Sequence, residues 1–307
     1  MISLTSILVD VDAAAADHPA LEQAVALAVR CGARVKIVDS LPWVPAGARH
    51  FVTAELEREL VEHRRERLKT IAEGVQGVAV TTELLRGRPG IALIQEVLRS
   101  GHDLLVRSHG RDLAARPRPF GATDMDLLRQ CPCPVWLIGP GSPHEPRRIL
   151  AAIHANPGDA TEQALNATIL EWALTLKGCG DTQLMVVQAW TAFGASVLRS
   201  RLSSEEFTAY VEAARQTEEK ALSEFLEPFT DRLVGVRAEL VHGEPEDAIA
   251  RFVESNGIDV VVMGTVARTG IAGLVMGNTA ERVLQRLRGS VLAVKPPGFE
   301  TTVTTLD

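Results

Sequence analysis

The sequence contains the same pattern twice, and this internal repeat restricts the fold more than any other feature does. At a shift of 156 positions, segment 84–106 aligns with segment 240–262, and the match continues without a gap into both final strands. Identical residues recur at matched positions: Gly87 and Gly243, Pro89 and Pro245, Gly101 and Gly257, Asp103 and Asp259, Gly121 and Gly277. Segments 6–12 and 148–154 align at a shift of 142, so the second copy has 14 additional residues before its fourth strand. The repeat predicts two similar domains, 1–142 and 146–307.

Each copy alternates short apolar runs with helical patterns. The runs are rich in Val, Leu and Ile and predict strands at 7–11, 35–38, 78–85, 103–106 and 135–138, and at 149–153, 184–189, 236–241, 259–263 and 291–294. Long amphipathic helices are predicted at 53–72 and 204–226, the second with a capping box of Ser203 and Glu206. Segment 139–146, rich in Gly and Pro, fits neither helix nor strand and is predicted to link the copies.

This alternation predicts an α/β fold in which helices cover both faces of a parallel sheet. In such sheets, ligands bind beyond the carboxyl ends of the strands, where the strand order reverses. The residues that follow the first and fourth strands of each copy are therefore the candidates for a site.

The composition excludes several classes of function. The formal net charge of −7 disfavours nucleic acid, because the protein and the phosphates repel each other. The N-terminus lacks the basic region of a signal peptide, and no apolar run approaches the ~18 residues of a membrane helix. Cys131 and Cys133 have a single residue between them and no second ligand pair, which favours reduced, buried thiols over a metal site. We expect a cytoplasmic protein that contacts neither membranes nor nucleic acid.

Segment 259–284, DVVVMGTVARTGIAGLVMGNTAERVL, carries a family resemblance. Gly264, Ala267 and the pair Gly277–Asn278 stand in the spacing Gly-x-x-Gly, nine residues, Gly-Ser/Thr. This pattern, with the final strand SVLAVKPP, resembles the universal stress proteins, and the doubling resembles their tandem E-type subgroup. The resemblance covers essentially the whole chain. It implies two tandem Rossmann-like (adenine nucleotide alpha hydrolase-like) domains, each a five-stranded parallel sheet sandwiched by helices.

By this resemblance, the second copy carries a nearly complete nucleotide motif. The candidate ligand-binding residues are His154, Ala189, Met263, Gly264, Ala267, Arg268, Gly277, Asn278 and Thr279. Gly264 and Gly277 would approach a phosphate, and Asn278 or Thr279 is predicted to cap the last helix. His154 and Ala189 would border the base. Ala267 replaces a glycine of the family's binding members, and His154 replaces an aspartate.

The first copy departs further from the family pattern. It keeps Asp12 after its first strand, but Ser108 and Arg111 stand where the second copy has Gly264 and Ala267. Gly110 lies one position away from the ungapped match. We interpret the nucleotide motif of this copy as degenerate.

Three functional hypotheses remain open at this stage. The first is a stress-response binding protein whose second domain holds an adenine nucleotide such as ATP, or another phosphorylated ligand. The second is a stress protein without a nucleotide, whose halves form an internal pseudo-dimer that contacts protein partners; a homodimer is compatible with either. The third is an ATP-hydrolysing enzyme, which is disfavoured because the sequence has no Walker lysine, nucleophile elbow or paired catalytic carboxylates. We therefore expect a protein that is not an enzyme.

Overall fold

The computed structural model describes residues 2–48, 50–110, 120–178, 181–265 and 276–304. In the first half, strands and helices alternate along the chain. They are β1 (Ser6–Asp10), α1 (Pro19–Cys31), β2 (Arg34–Leu41), α2 (Ala54–Glu73), β3 (Val80–Arg86), α3 (Pro89–Ser100), β4 (Leu104–Ser108), α4 (Ala122–Gln130) and β5 (Val135–Ile138). A short 3-10 turn, Ala46–Ala48, precedes α2.

The second half repeats this order with one additional short helix. Its elements are β6 (Arg148–Ile153), α5 (Ala160–Lys177), β7 (Gln183–Trp190), α6 (Ala195–Leu198), α7 (Ser204–Leu226), β8 (Arg237–His242), α8 (Pro245–Asn256), β9 (Val260–Gly264), α9 (Asn278–Arg286) and β10 (Ser290–Val294). A 3-10 turn, Glu227–Arg232, follows α7. The additional helix α6 and the longer α7 lie between β7 and β8, within the part of the second copy where the repeat predicts extra residues.

The described residues form a single ten-stranded sheet in the order β3-β2-β1-β4-β5-β10-β9-β6-β7-β8. Within each half the five strands are parallel, as predicted, and the order reverses between the first strand and the fourth. The two halves meet where β5 pairs antiparallel with β10, with Leu137 opposite Val291 and Val135 opposite Ala293. The fold class is confirmed, and the junction makes the two predicted sheets continuous.

The apolar side chains form two layers, one on each face of this sheet. One layer packs α1, α2, α5 and α7 against the strands, and the other packs α3, α4, α8 and α9. Each layer contains residues of both halves; Leu27 and Leu170 belong to the first, and Leu93 and Leu284 to the second. Alternate strand residues face opposite layers, which explains why the strands are almost uniformly apolar.

The helix starts confirm the local predictions in α2 and α7. Thr53 caps α2 by accepting the N–H of Leu56, and α7 begins at Ser204 with the predicted capping box, in which Ser203 and Glu206 bond reciprocally. Within the described ranges, no helix is both long and apolar enough to cross a membrane.

Candidate functional site

A cavity of about 270 Å³ lies at the carboxyl ends of the strands in the first half. It is located where the strand order reverses, because β1 lies between β2 and β4 there. Its lining residues come from the ends of these strands and from the starts of the helices that follow, together with one residue of α2: Asp10, Val11, Asp12, His18, Ala20, Asp39, Ser40, Arg64, Pro89, Arg107, Ser108 and Thr123. This is the position that parallel sheets use for ligands.

Arg107 joins two carboxylates on one side of the cavity. Asp10, the last residue of β1, is paired with Arg107 of β4 in the sheet register. The Nη1 atom of Arg107 lies 3.4 Å from Oδ2 of Asp10, and its Nε lies 3.2 Å from Oδ1 of Asp124. Asp124 also accepts the backbone N–H of Gly121, which fixes its position at the start of α4. A largely buried cation therefore bridges two acids.

The pKa of Asp10 is raised to about 6. Burial is the main cause, because a desolvated carboxylate is unfavourable, and the acids Asp39 and Asp124 add to the effect. Arg107 and a hydrogen bond from Ser40 act in the opposite direction. Asp10 therefore changes its charge close to neutral pH.

Arg64, which also lines the cavity, forms a second bridge. Its Nη1 atom lies 2.6 Å from Oδ2 of Asp39 and 3.0 Å from Oδ1 of Asp12. Asp39 is 4% exposed and also accepts the backbone N–H of Ala13, so it ties the loop after β1 to the end of β2. Asp12 is more accessible, with 51% of its side chain exposed. The two bridges together place four acids around two arginines.

The described candidate residues of the second half lie along the corresponding edge of the sheet. His154 follows β6, Ala189 is near the end of β7, Gly264 ends β9, and Gly277 precedes α9. The N–H of Gly277 donates to the carbonyl of Thr265 at 3.0 Å, which holds the start of α9 beside the end of β9. The structure thus brings these residues to one edge. Ala267 and Arg268 lie outside the described residues.

The start of α9 differs from the prediction. Gly277 is the N-cap residue, with an extended backbone, and the helix begins at Asn278. The prediction that Asn278 or Thr279 caps this helix was wrong, because both residues already lie inside its first turn. Gly277, as a glycine, has no side chain that could accept a hydrogen bond from the first turn.

Three of the candidates contribute to packing. Met263 and Ala189 are buried, 5% and 8% exposed, in the core layer beneath α8 and α9. A Cβ atom added to Gly264 would lie 2.7 Å from Cδ2 of Leu165, so this glycine allows α5 to approach β9 closely. The backbone of His154 is fixed by Asn166, whose amide exchanges hydrogen bonds with both its N–H and its carbonyl.

The second half has apolar residues where the first half has the Arg107 bridge. Ala152 and Met263 are register partners in β6 and β9, as Asp10 and Arg107 are in β1 and β4. Ala280 is the third residue after Gly277, as Asp124 is the third after Gly121. Ala152, Met263 and Ala280 are at most 9% exposed and belong to one core layer. The two edges therefore differ in polarity although their backbones correspond.

The polar cluster of the first half was missed by the sequence interpretation, apart from Asp12 and Ser108. A signal was present: Asp10 and Arg107 are charged residues at the ends of apolar runs that were predicted to lie beside each other. Arg64 was hidden among the alternating charges of a helix that resembles an ordinary solvated surface.

This doubled sheet defines a tandem Rossmann-like protein, with a polar crevice at the reversal of strand order where such sheets bind ligands. The sequence model of the universal stress protein family matches residues 4–139 and 147–295. The chain belongs to this family, and it is of the tandem type.

Relatives of the same length support this assignment. The chain is 28% identical to universal stress protein E of Escherichia coli over 99% of this chain and 98% of that protein. A functionally unknown protein from Pseudomonas aeruginosa, known from its crystal structure, is 26% identical, with a TM-score of 0.68 over 96% of this chain and 93% of that one. A universal stress protein from Archaeoglobus fulgidus shares the fold, with a TM-score of 0.65 at 15% identity over 95% and 96% of the two chains.

Proposed function

We propose that this chain is a non-catalytic stress-response binding protein whose first half takes a small polar metabolite with an amino or amidino group. The observation that carries the proposal is the charge arrangement around the cavity. Arg64 and Arg107 each lie between two carboxylates, so acids outnumber bases. A ligand that brings positive charge balances this excess, and a partly buried site strengthens the attraction.

A nucleoside triphosphate fits this cavity poorly. It would bring several negative charges to a place where both guanidinium groups already bind carboxylates. Moving Arg64 or Arg107 to a phosphate would leave a buried acid unpaired, which costs about 3 kcal/mol or more. The volume of about 270 Å³ is also at the lower end of ligand pockets and suits a molecule of amino-acid size.

Asp12 is the acid best placed to meet the ligand. Its hydrogen bonds from Arg64 and from the N–H of Ala14 both use Oδ1, which leaves Oδ2 to accept from an amino or amidino group. Asp10 lies deeper, with 11% of its side chain exposed, and would contribute its charge once it is ionised. The carboxylates hold the ligand by charge-assisted hydrogen bonds.

An adenine nucleotide such as ATP, or another phosphorylated ligand, in the second half is a separate proposal. It is favoured by the start of α9, where the first turn has no side-chain cap at Gly277 and its N–H groups remain suited to an anion. The described residues around it give less support, because Ala152 and Met263 are apolar and Leu165 packs against Gly264. If neither half binds a small molecule, contacts with protein partners become the preferred function.

Calorimetry with agmatine, spermidine and ATP tests the proposal. We expect a cation to bind and its affinity to fall by about tenfold in Asp12→Asn, the equivalent of one charge-assisted hydrogen bond. Affinity should also rise as the pH passes about 6, because Asp10 then becomes an anion. Glu73→Gln, an exposed change on the same helix as Arg64, is the matched control and should leave binding unchanged.

Two results would reject the first-half site. One is binding of ATP in the absence of any binding of the cations. The other is cation binding that responds equally to Asp12→Asn and to Glu73→Gln, since general acidity of the surface would then explain it.

A further inference from the structure

Two cysteines and one lysine form a buried cluster at the seam between the halves. Cys131 is the C-cap residue of α4, and Cys133 precedes β5 by two positions. Their Sγ atoms lie 3.6 Å apart, both thiols are free, and the residues are 0% and 8% exposed. Lys295 follows β10, the strand that pairs with β5. The cluster therefore joins the end of one half to the end of the other.

Lys295 is an unusual buried cation. It is 5% exposed, and its Nζ atom donates to the carbonyl of Leu128 at 2.6 Å. Among the residues that the structure describes, no carboxylate forms an ion pair with it. Burial lowers its pKa to about 8, and the thiols Cys131 and Cys133 counter that effect. Among the described residues, the groups that offer negative charge to this ammonium are the sulfurs of Cys131 and Cys133.

The ammonium of Lys295 and the thiol of Cys133 both lower the pKa of Cys131. Burial alone would raise the pKa of Cys131, but the hydrogen bond from Cys133 and the charge of Lys295 lower it below its ordinary value. The pKa of Cys133 is raised, first by its bond to Cys131 and then by burial. One sulfur is thus prepared to be a thiolate and the other a thiol.

We propose that Cys131 and Cys133 are a redox-active dithiol, which hydroperoxides convert into an intramolecular disulfide. The two sulfurs are in van der Waals contact, and a disulfide needs them at about 2.0 Å, so each has to move by less than about 1 Å. A thiolate beside a thiol is the arrangement in which oxidation of one sulfur is followed by attack of the other.

Lys295 makes this assignment preferable to a soft metal site. An ammonium beside two sulfurs repels a cuprous or zinc ion, whereas it stabilises a thiolate. Within the part of the chain that the structure describes, no group of three or more His, Cys, Asp or Glu side chains could hold a metal ion here.

The chemistry balances with hydrogen peroxide as the oxidant. The thiolate of Cys131 attacks one peroxide oxygen, the O–O bond breaks, and Cys131 becomes a sulfenic acid. The hydroxide that leaves takes up the proton that the Cys131 thiol released when it ionised and becomes water. The sulfur of Cys133 then attacks the sulfur of Cys131, the S–O bond breaks, and the departing hydroxide takes the Cys133 proton as water. In total, two thiols and one peroxide give one disulfide and two waters.

The segment after β10 lies over this cluster. The Nζ atom of Lys295 is 5.5 Å from the ring centre of Phe299, and Val303 packs against the core layer that contains both cysteines. Side-chain contacts from Gln130 to Thr302 and from Gln95 to Thr304 fasten the segment to the first half. Oxidation consumes the thiolate whose negative charge lies beside Lys295.

Intact mass spectrometry tests the proposal in a Cys31→Ser, Cys179→Ser background, which keeps only the two cysteines of the cluster. Brief treatment with hydrogen peroxide should lower the mass by two hydrogens, block alkylation after denaturation, and be reversed by dithiothreitol. Lys295→Met should raise the pKa of Cys131 and so lower the fraction of thiolate. We expect the reaction to slow about tenfold for each unit by which this pKa rises. Lys220→Met, at a position with 76% of the side chain exposed, is the matched control and should keep the original rate.

Two outcomes would overturn the proposal. In the first, the folded protein resists peroxide doses that oxidise exposed Cys31 in the wild-type chain, or it accumulates sulfinic acid without a disulfide. In the second, Lys295→Met and Lys220→Met react equally fast, which would remove the lysine from the site. The Cys31→Ser, Cys179→Ser protein carries no substitution at the cluster, so its disulfide measurement stands even if the Lys295→Met variant fails to fold.

Discussion

Asp39 and Gln188 occupy equivalent positions in the two halves and make the same backbone contact. Each follows a residue of the second strand that is paired with a matched position of the first strand, Val38 beside Asp10 and Val187 beside Ala152. Asp39 accepts the N–H of Ala13 at 3.3 Å, and Gln188 accepts that of Ala155 at 2.8 Å. The long helix of each half holds the side chain from the other direction, with Arg64 on Asp39 and Glu218 on Gln188. Both halves therefore have a side-chain oxygen that accepts this loop N–H, but only in the first half does that oxygen belong to a charged side chain.

This relationship predicts that the first-half pair can be transferred to the second half. Gln188→Asp alone should destabilise the protein by about 2 kcal/mol, because a buried carboxylate would face Glu218 without a counter-charge. Adding Glu218→Arg should restore most of that loss, since it reproduces the Arg64 contact. Urea denaturation of the two variants measures the difference, and equal instability of both would show that the helices hold these side chains differently.

The Arg107 bridge should be replaceable by the apolar set of the second half. Arg107→Met alone leaves Asp10 and Asp124 without their cation, and we expect a loss of about 3 kcal/mol or more in the free energy of unfolding at pH 8. The triple variant Asp10→Ala, Arg107→Met, Asp124→Ala copies Ala152, Met263 and Ala280 and should recover at least half of it. Chemical denaturation gives both values. A triple variant that is less stable than the single one would show that the first half cannot close around apolar side chains.

Asp10 should make stability depend on pH between its two pKa values. Its folded pKa of about 6 exceeds the ordinary value of 3.8, so the native state holds the proton more tightly than the unfolded chain. Its contribution is therefore fully present below 3.8 and is lost as the pH rises through about 6. Relative to the wild type, Asp10→Asn should gain stability across this window in urea titrations. A difference that stays constant with pH would contradict the assignment.

Glu96 should have the opposite effect on the pH dependence of stability, because its carboxylate stabilises the folded state and acid removes that contribution. Although burial raises its pKa, hydrogen bonds from His102, Lys36 and Ser100 lower it below the ordinary value of 4.5. The carboxylate therefore contributes stability above 4.5, and this is lost as the pH falls through its lower folded pKa. We expect Glu96→Gln to be about 2 kcal/mol less stable at neutral pH and to approach the wild type as acid is added. Thermal unfolding over a pH series checks this, and parallel curves would exclude Glu96 as the cause.

Gly264 separates packing from ligand binding in the second half. Gly264→Ala places a Cβ against Leu165 and should cost about 1 kcal/mol, because the leucine can shift only partly. Leu165→Ala removes the side chain that the new Cβ would contact. In this background Gly264→Ala should leave the stability unchanged, so the double variant should be as stable as Leu165→Ala alone. Differential scanning calorimetry compares the pairs. If Gly264→Ala leaves stability unchanged but abolishes binding of ATP, the glycine serves a phosphate instead.

The sequence was sufficient for most of the fold because the signals were local and repeated. Helix α7 was predicted at its observed limits, since Ser203 and Glu206 mark its start by a specific pair of hydrogen bonds. The strands were readable because burial on both faces leaves them almost uninterrupted apolar runs. The junction of β5 with β10 was not predicted, because pairing between distant segments leaves no periodic trace in either of them.

The candidate site was harder to predict because it depends on side chains far apart in the chain. Asp39 and Arg64 are ordinary charged residues in sequence, and only the fold brings them to the loop after β1. The family motif predicted a ligand site in the second half, because that half retains the motif glycines Gly264 and Gly277. Gly264 shows the limit of that reasoning, since a missing Cβ can accommodate a neighbouring helix as well as a ligand.

Antiparallel pairing of β5 with β10 reverses the direction of every strand across the seam. The carboxyl ends of the two halves consequently open on opposite rims of the molecule, and their occupants can never touch. A molecule held at one rim leaves the other free for a different occupant, and any communication between them has to pass through the central strands. The ligands proposed for the two halves would therefore not compete for the same space.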